Sequence, residues 1–383
     1  MVMKKGLLAT TMLVSVAAMG VANETRAAEV KPLGALDINI GGFARWYSFF
    51  GSLDNKYGGE RHAGTYDFRD DTEVYVYVRG KDEATGLEYG ANIELEGDTN
   101  TTSNADEAFV FIRGKFGEFR LGDQNGPVEQ MITGVSPLGA FSGSLDGVGP
   151  IDAGAVVYGS YSDDATKIVY YSPVMSGFQL GVGLTPSTDS NGSNIKTTRG
   201  DANVEDLVES GITYNGDLGG VGVLAAVTGA IGKFADSDGE SRDLQQIYGG
   251  LDLTFGPLTL GGGYGITKGA RPVSAAAGDD LSDNYIGNFV YSPGSKQQFF
   301  NVGAAYAVGP ATMSLAYGQT VSSHVGGGTP YGSDPALKEL IYSLAFAVAP
   351  GLTLGTEVAA FSNSDNTDDN QGILGLAGVR LAF

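Results

Sequence analysis

Few residues of this 383-residue chain could do covalent chemistry. There is no cysteine, so thiol nucleophiles, disulfides and thiolate metal sites are excluded. The two histidines, His62 and His324, lie in separate polar segments. Neither belongs to a Ser–His–acid set or to a metal-ligand spacing. GGGYGITKG (261–269) pairs glycines with a lysine but lacks the phosphate-loop order, and it reads as strand. ADSDGESRD (235–243) places Asp236, Asp238 and Asp243 close together without the closing bidentate glutamate of a calcium loop. NSDNTDDNQ (363–371) is similarly oxygen-rich. These two segments are candidates for loop calcium, with a solvated loop tip as the plainer reading. No cofactor and no enzymatic activity are expected.

The remaining chemistry is electrostatic, and it is periodic. In TEVYVYVRGK, Glu73, Tyr75, Tyr77, Arg79 and Lys81 share one face, opposite Val74, Val76 and Val78. In LEYGANIELEGD, Glu88, Asn92, Glu94 and Glu96 oppose Leu87, Tyr89, Ala91, Ile93 and Leu95. In LDINIGGFARWY, Asp37, Asn39, Phe43, Arg45 and Tyr47 oppose Leu36, Ile38, Ile40, Ala44 and Trp46. Period-2 alternation is the mark of a strand with two unlike environments. The charged face gives Arg45, Arg69, Arg79, Arg113 and Arg120 as candidate wall bases, and Glu94, Glu96 and Glu107 as candidate wall acids.

These segments are about ten residues long, as a tilted membrane strand requires. Short turns are expected at 82–86, 114–116, 173–176, 215–218, 256–257, 309–310 and 349–351, several marked by Gly-Pro, Pro-Gly or Asn-Gly. Long polar loops are expected near 51–70, 98–105, 125–165, 185–203, 229–243, 268–297, 322–336 and 362–370. Short turns on one side and long loops on the other predict an all-β, antiparallel, up-and-down transmembrane barrel of sixteen strands. In a bilayer every backbone group must be paired, so the sheet must close on itself. Beyond the first residues no run of 18 apolar residues supports a helical span.

The segment MVMKKGLLATTMLVSVAAMGVANETRAAEV has two lysines, an apolar run and small residues. It predicts a signal peptide at 1–27, cut after Ala27, and a barrel domain at 28–383. Removing Lys4, Lys5, Arg26 and Glu24, a net +2, takes the formal charge from −21 to −23. So acidic a chain excludes nucleic acid as a partner. The final alternate positions, Val379, Leu381 and Phe383, predict an apolar outward face, with Phe383 in an interfacial aromatic girdle.

Three segments resemble the general bacterial porins. EAFVFIRGKFGEFRLGDQ (107–124) is similar to a strand–turn–strand of that family, with its Gly-x-Phe-Gly turn. KIVYYSPVMSGFQLGVGLTP (167–186) is similar to another, and the terminal phenylalanine resembles the signal read by the outer-membrane barrel assembly machinery. The resemblance implies a sixteen-stranded barrel in a Gram-negative outer membrane, usually a homotrimer in contact with lipid and lipopolysaccharide. It implies that the third external loop, after Gln124, folds into the pore. That loop carries Glu129, Asp146, Asp152, Asp163 and Asp164. Glu129, Asp146 and Asp152 are then the candidate constriction acids, facing the wall arginines. The implied function is passive diffusion of small hydrophilic solutes and ions. The inward Glu73, Glu88, Glu94, Glu96 and Glu107 predict mild cation preference. The alternative is a substrate-specific channel with a saturable solute site.

Overall fold

The computed structural model describes residues 28–30, 36–53, 65–97, 105–134, 139–141, 162–188, 192, 204–235, 241–270, 295–323, 336–364 and 369–383. Asp146, Asp152, His62, His324, residues 1–27, and the tips of the two oxygen-rich loops lie outside them. A three-residue strand, β1 (Ala28–Val30), precedes the long ones. The first half of the wall is β2 (Asp37–Leu53), β3 (Thr65–Asp82), β4 (Leu87–Glu96), β5 (Ala108–Gly114), β6 (Gly117–Asp123), β7 (Thr166–Tyr171), β8 (Phe178–Ser187) and β9 (Val204–Leu218). The second half is β10 (Val221–Ala235), β11 (Ser241–Phe255), β12 (Leu258–Ala270), β13 (Ser295–Val308), β14 (Ala311–Ser323), β15 (Ala336–Ala349), β16 (Leu352–Ser364) and β17 (Asp369–Ala382). One short helix, α1 (Pro127–Gln130), lies between β6 and β7.

Each of β2 to β17 pairs antiparallel with the next, and β17 pairs with β2 from Gly372↔Leu53 to Ala382↔Phe43. Among the described residues the sheet is therefore a closed ring of sixteen strands, with no free edge to satisfy in lipid. Gly42 and Phe383 exchange both backbone hydrogen bonds at 3.0 Å. Beyond them β1 takes over the vacated edge of β2, pairing Ala28↔Ile40 to Val30↔Ile38.

The seven tight connections fall where expected, with one shift. The Asn215–Gly216 dipeptide stays in the ladder, opposite Leu224 and Val223, and the turn forms at Gly219 and Gly220. Those two glycines have φ of +68° and +92°, which side chains resist, so they hold the turn better than Asn-Gly does. Strand length also departs from the expected ten. β2 and β3 have 17 and 18 residues, because pairing continues into the stems of their outer loop. β7 has six.

Register fixes the two faces. Trp46, Val182, Leu184, Ile212 and Ile247 are outward and exposed, part of an apolar band. Trp46 stacks on Phe68 at 5.3 Å, and Leu381 and Phe383 are outward as expected. Residues of opposite parity point into the barrel.

The third loop enters the barrel, as the resemblance implied. α1 packs on β8, β9 and β10. Met131 lies over Gly181 and Gly211, where an added Cβ would come within 2.4 and 2.9 Å of its sulfur. The Thr133 hydroxyl donates to Asp252 Oδ2 on β11 at 2.7 Å, and the Gly134 N–H donates to the same oxygen at 3.1 Å. The Tyr248 hydroxyl donates to Thr133 O at 2.7 Å. Further on, the Ala140 N–H donates to Ser314 Oγ at 3.1 Å on β14, and Phe141 packs edge-on to Tyr47 at 5.9 Å on β2. The loop thus runs along the inner wall from β8 round to β2. Ile132 and Phe141 join the inward Tyr248, Phe299, Ile341, Phe361 and Leu376 in one buried cluster.

Candidate functional site: the charged wall of the lumen

The wall from β17 through β2 to β7 carries arginines with their ion pairs, whereas on the rest of the wall Glu209, Asp252, Glu339 and Glu357 are buried inward carboxyls. Its inward positions follow from directly opposed residues. Arg45 faces Asp71 across β2–β3, Glu88 faces Arg113 across β4–β5, and Arg113 faces Glu118 across β5–β6. Opposed Cβ atoms on one face lie about 4.5–5.5 Å apart, within reach of ion pairing. The pairs form accordingly. Arg45 Nη2 is 2.8 Å from Asp71 Oδ2. Arg113 Nε lies 3.2 Å from Glu118 and 3.7 Å from Glu88. Arg120 Nε donates to Glu118 Oε1 at 2.5 Å. One carboxylate thus serves two of the expected arginines.

Each arginine also lies against an inward aromatic ring. Arg45 is 3.9 Å from the centroid of Phe43, Arg79 is 5.6 Å from Tyr77, and Arg113 is 5.1 Å from Phe111. Arg120 lies between Phe109 and Tyr171 at 5.2 and 5.0 Å. Such rings fix guanidinium planes and contribute about 0.5–2 kcal/mol each as they desolvate. The Tyr75 hydroxyl donates to Glu73 Oε2 at 2.5 Å. Arg69 stands apart from this band, exposed at the loop end of β3.

The expected acids divide. Glu94 is inward beside Tyr75, and Glu96 is opposite Glu73. Glu107 is 3% exposed and accepts the Asn125 N–H at 2.9 Å, so it holds the start of the third loop. Burial raises the Glu107 carboxyl above the usual range, although the Asn125 bond acts the other way. Glu129 is half-buried in the first turn of α1, on the β8–β10 side of the barrel.

Several residues of the site escaped sequence reasoning. Asp71 and Glu118 are the counter-ions of the arginines; parity puts them on the inward face, but only the register between strands pairs them. Arg380 lies between the two outward positions Val379 and Leu381, and so points inward. It faces Arg45 across the β17–β2 seam and lies 5.6 Å from the Phe43 ring. Lys167 of β7 is 2% exposed. Its ammonium donates to the backbone oxygens of Gln124, Ser162 and Asp163, joining both ends of the third loop. No motif marked it, because its acceptors are backbone atoms far apart in sequence. Beside it Asp164 is pushed up to about 9 by burial and by Asp106, Asp163, Glu107 and Glu129. Asp163 is raised by burial and Asp106.

This geometry has counterparts. Against solved structures the chain superposes on an anion-selective porin from Comamonas acidovorans with a TM-score of 0.66 at 20% identity, covering 91% of this chain and 100% of that one. It also superposes on the outer membrane channel DcaP of Acinetobacter baumannii (TM-score 0.62, 16% identity, 93% and 100% covered). A third match is the trimer form of OmpT, an outer membrane protein of Vibrio cholerae (TM-score 0.57, 12% identity, 91% and 100% covered). An uncharacterised protein of Rickettsia conorii is 23% identical, over 77% of this chain and 80% of its own length. The family model described as Gram-negative porin matches residues 9–366. With a closed sixteen-strand barrel, an inner wall of paired charges and a loop laid inside it, the chain belongs to the Gram-negative porin family and is an outer-membrane channel protein.

Proposed function

We propose that this porin is a passive diffusion channel for small hydrophilic solutes and ions, with mild cation preference. The observation that carries it is the solvation of the inward wall. Asp71, six residues inside the end of β3 and paired with Arg45, points into the barrel, yet its side chain is 21% exposed. Charges keep such exposure inside a barrel only where water reaches them, since a dry interior would penalise each one heavily. Sixteen strands leave room for that water. On β3 and β4 the inward acids Asp71, Glu73, Glu88, Glu94 and Glu96 outnumber the inward bases Arg69, Arg79 and Lys81, which supports cation preference.

A second reading has its own observation. Arg380 has no ion-pair partner among the described residues, and the Comamonas neighbour is an anion-selective porin. Reversal potential in a KCl gradient across a planar bilayer decides between them. A potential of cation sign supports the first reading, and one of anion sign rejects it for the second. Saturable block by a solute would favour a substrate-specific channel over general diffusion.

The rest of the reading follows the family. The protein is exported by a signal peptide at 1–27 and inserted as residues 28–383 by the barrel assembly machinery, with Val379, Leu381 and Phe383 as the signal. It assembles as a homotrimer among lipid and lipopolysaccharide, as the trimer form of the Vibrio neighbour suggests. It has no resident cofactor and no catalytic role, and its oxygen-rich loops are left as calcium candidates. Asp146 and Asp152 are proposed with Glu129 as acids facing the arginine wall. N-terminal sequencing of the outer-membrane form should read Ala28 first, and cross-linking should give a trimer.

A further inference from the structure

Most rings on the charged side of the lumen already carry a cation. Phe43, Tyr77, Phe109, Phe111 and Tyr171 each lie under a guanidinium group, at 3.9 to 5.6 Å from the ring centroid. Tyr47 and Phe49 are buried in one cluster with Phe141. Tyr75 differs from both sets. It is inward on β3 and half-buried, and no guanidinium group lies over it among the described residues. Its surroundings are acidic instead. Its hydroxyl donates to Glu73 Oε2 at 2.5 Å, and Glu94 is directly opposed to it on β4. On the β2 side it faces Gly41, which has no side chain to fill the space. Two acceptors here lack donors. Glu94 is 9% exposed, and its carboxyl has no hydrogen bond or ion pair among the described residues. Asn92 is the next inward position of β4, and its Oδ1 is shielded from solvent without a hydrogen-bond partner. Buried acceptors left without donors cost free energy, and in a native structure they call for an explanation. A ring face attracts positive charge, and carboxylate and amide oxygens accept N–H groups. The group that satisfies all of them at once is an ammonium.

We propose that Tyr75, Glu73, Glu94 and Asn92 form a seat for the ammonium group of a small organic cation in transit. The Tyr75 ring takes the charge on its face, and Glu73, Glu94 and Asn92 Oδ1 accept its N–H groups in charge-assisted hydrogen bonds. A primary ammonium suits the seat, since a quaternary one has no N–H to donate. The seat rests on the reading of the lumen as a solute path and gives that path a solute class. It is a local contact, so it holds whichever sign the small-ion preference takes. A passing ammonium resides there briefly, so the current carried by KCl falls in a saturable way as the organic cation is added.

The test uses the full-length protein from outer membranes, in planar bilayers with KCl, and butylammonium as the probe. Wild type is expected to show open steps that butylammonium reduces to a plateau. Tyr75→Leu should raise the half-blocking concentration about tenfold, the loss expected for a desolvated contact between a cation and a ring. Lys115→Gln, in the exposed β5–β6 turn, should leave it unchanged. Normal open steps with no saturable block in wild type, or an equal block in Tyr75→Leu, overturn the seat. Absence of open steps in wild type overturns the channel reading, and the seat falls with it. Heat-modifiable migration on gels shows whether Tyr75→Leu has folded. If it has not, Glu94→Gln is read in its place. That variant keeps the shape of the side chain and removes its charge, so a weaker block supports the seat and an unchanged one overturns it.

Discussion

The two sides of the barrel wall differ in what their inward positions carry. From β8 to β16 many of those positions are glycine or apolar. A Cβ at Gly250 would stand 1.9 Å from Thr133 O, and one at Gly355 would stand 2.1 Å from the Phe141 ring. These are seats for the third loop, vacated so that its backbone and rings can lie against the sheet. From β17 to β7 the inward positions carry arginines, carboxylates and aromatic rings. The contrast teaches that the inner face of a porin strand records what lies over it. Where chain must pass, side chains are removed; where water must stay, they are charged and cross-paired.

The contrast breaks most readily at its hinge, Lys167. Lys167→Met removes the ammonium that joins Gln124, Ser162 and Asp163 and leaves Glu209 buried beside it without the nearby charge. Loss of a compensated buried charge costs about 3–5 kcal/mol. The expected outcome is a loop released from its seats, with protease cleavage within 125–165 in a barrel that otherwise stays heat-modifiable. Gly250→Leu attacks the seat directly. Overpacking of this kind costs about 1–3 kcal/mol, and single-channel conductance should change as Thr133 is pushed off the wall. Unaltered conductance would show that the seat does not set the pore.

On the charged side, Glu118→Gln removes the carboxylate shared by Arg113 and Arg120. The reversal potential in a KCl gradient should then move toward anion preference by a few millivolts to tens of millivolts, while a shift toward cations would sink the role given to this pair. The smallest effect expected is that of pH on the loop root. Asp164 keeps its proton in the folded protein up to about 9, against an ordinary value of 3.8. Its folded value is raised, so its contribution to anchoring is full below 3.8 and is lost as pH rises through about 9. Protease protection of the loop should decline across that window, and Asp164→Asn should flatten the decline.

Much of this was legible in the chain. Alternation in TEVYVYVRGK and LEYGANIELEGD gave strands and their facing, since a sheet between lipid and water imposes opposite demands on successive residues. Spacing of turns gave the strand count. The turn at Gly219–Gly220 was misplaced because Asn-Gly is a strong local signal that β9–β10 pairing overrode. The seats of the third loop were not legible. A glycine on an inner face looks the same in sequence whether space is left for a backbone, a ring or water. The pairing of arginines with Asp71 and Glu118 depends on register between strands, which local pattern does not specify. Arg380 was hidden by its outward neighbours, which drew the eye to the lipid face.

Arg45 belongs to the first long strand and Arg380 to the last, more than three hundred residues later in synthesis. They meet only across the seam that β17 and β2 make. A barrel whose final strand has not docked lacks the paired guanidinium groups altogether, however complete the rest of its wall. Closure of the ring and completion of its arginine wall are thus one event.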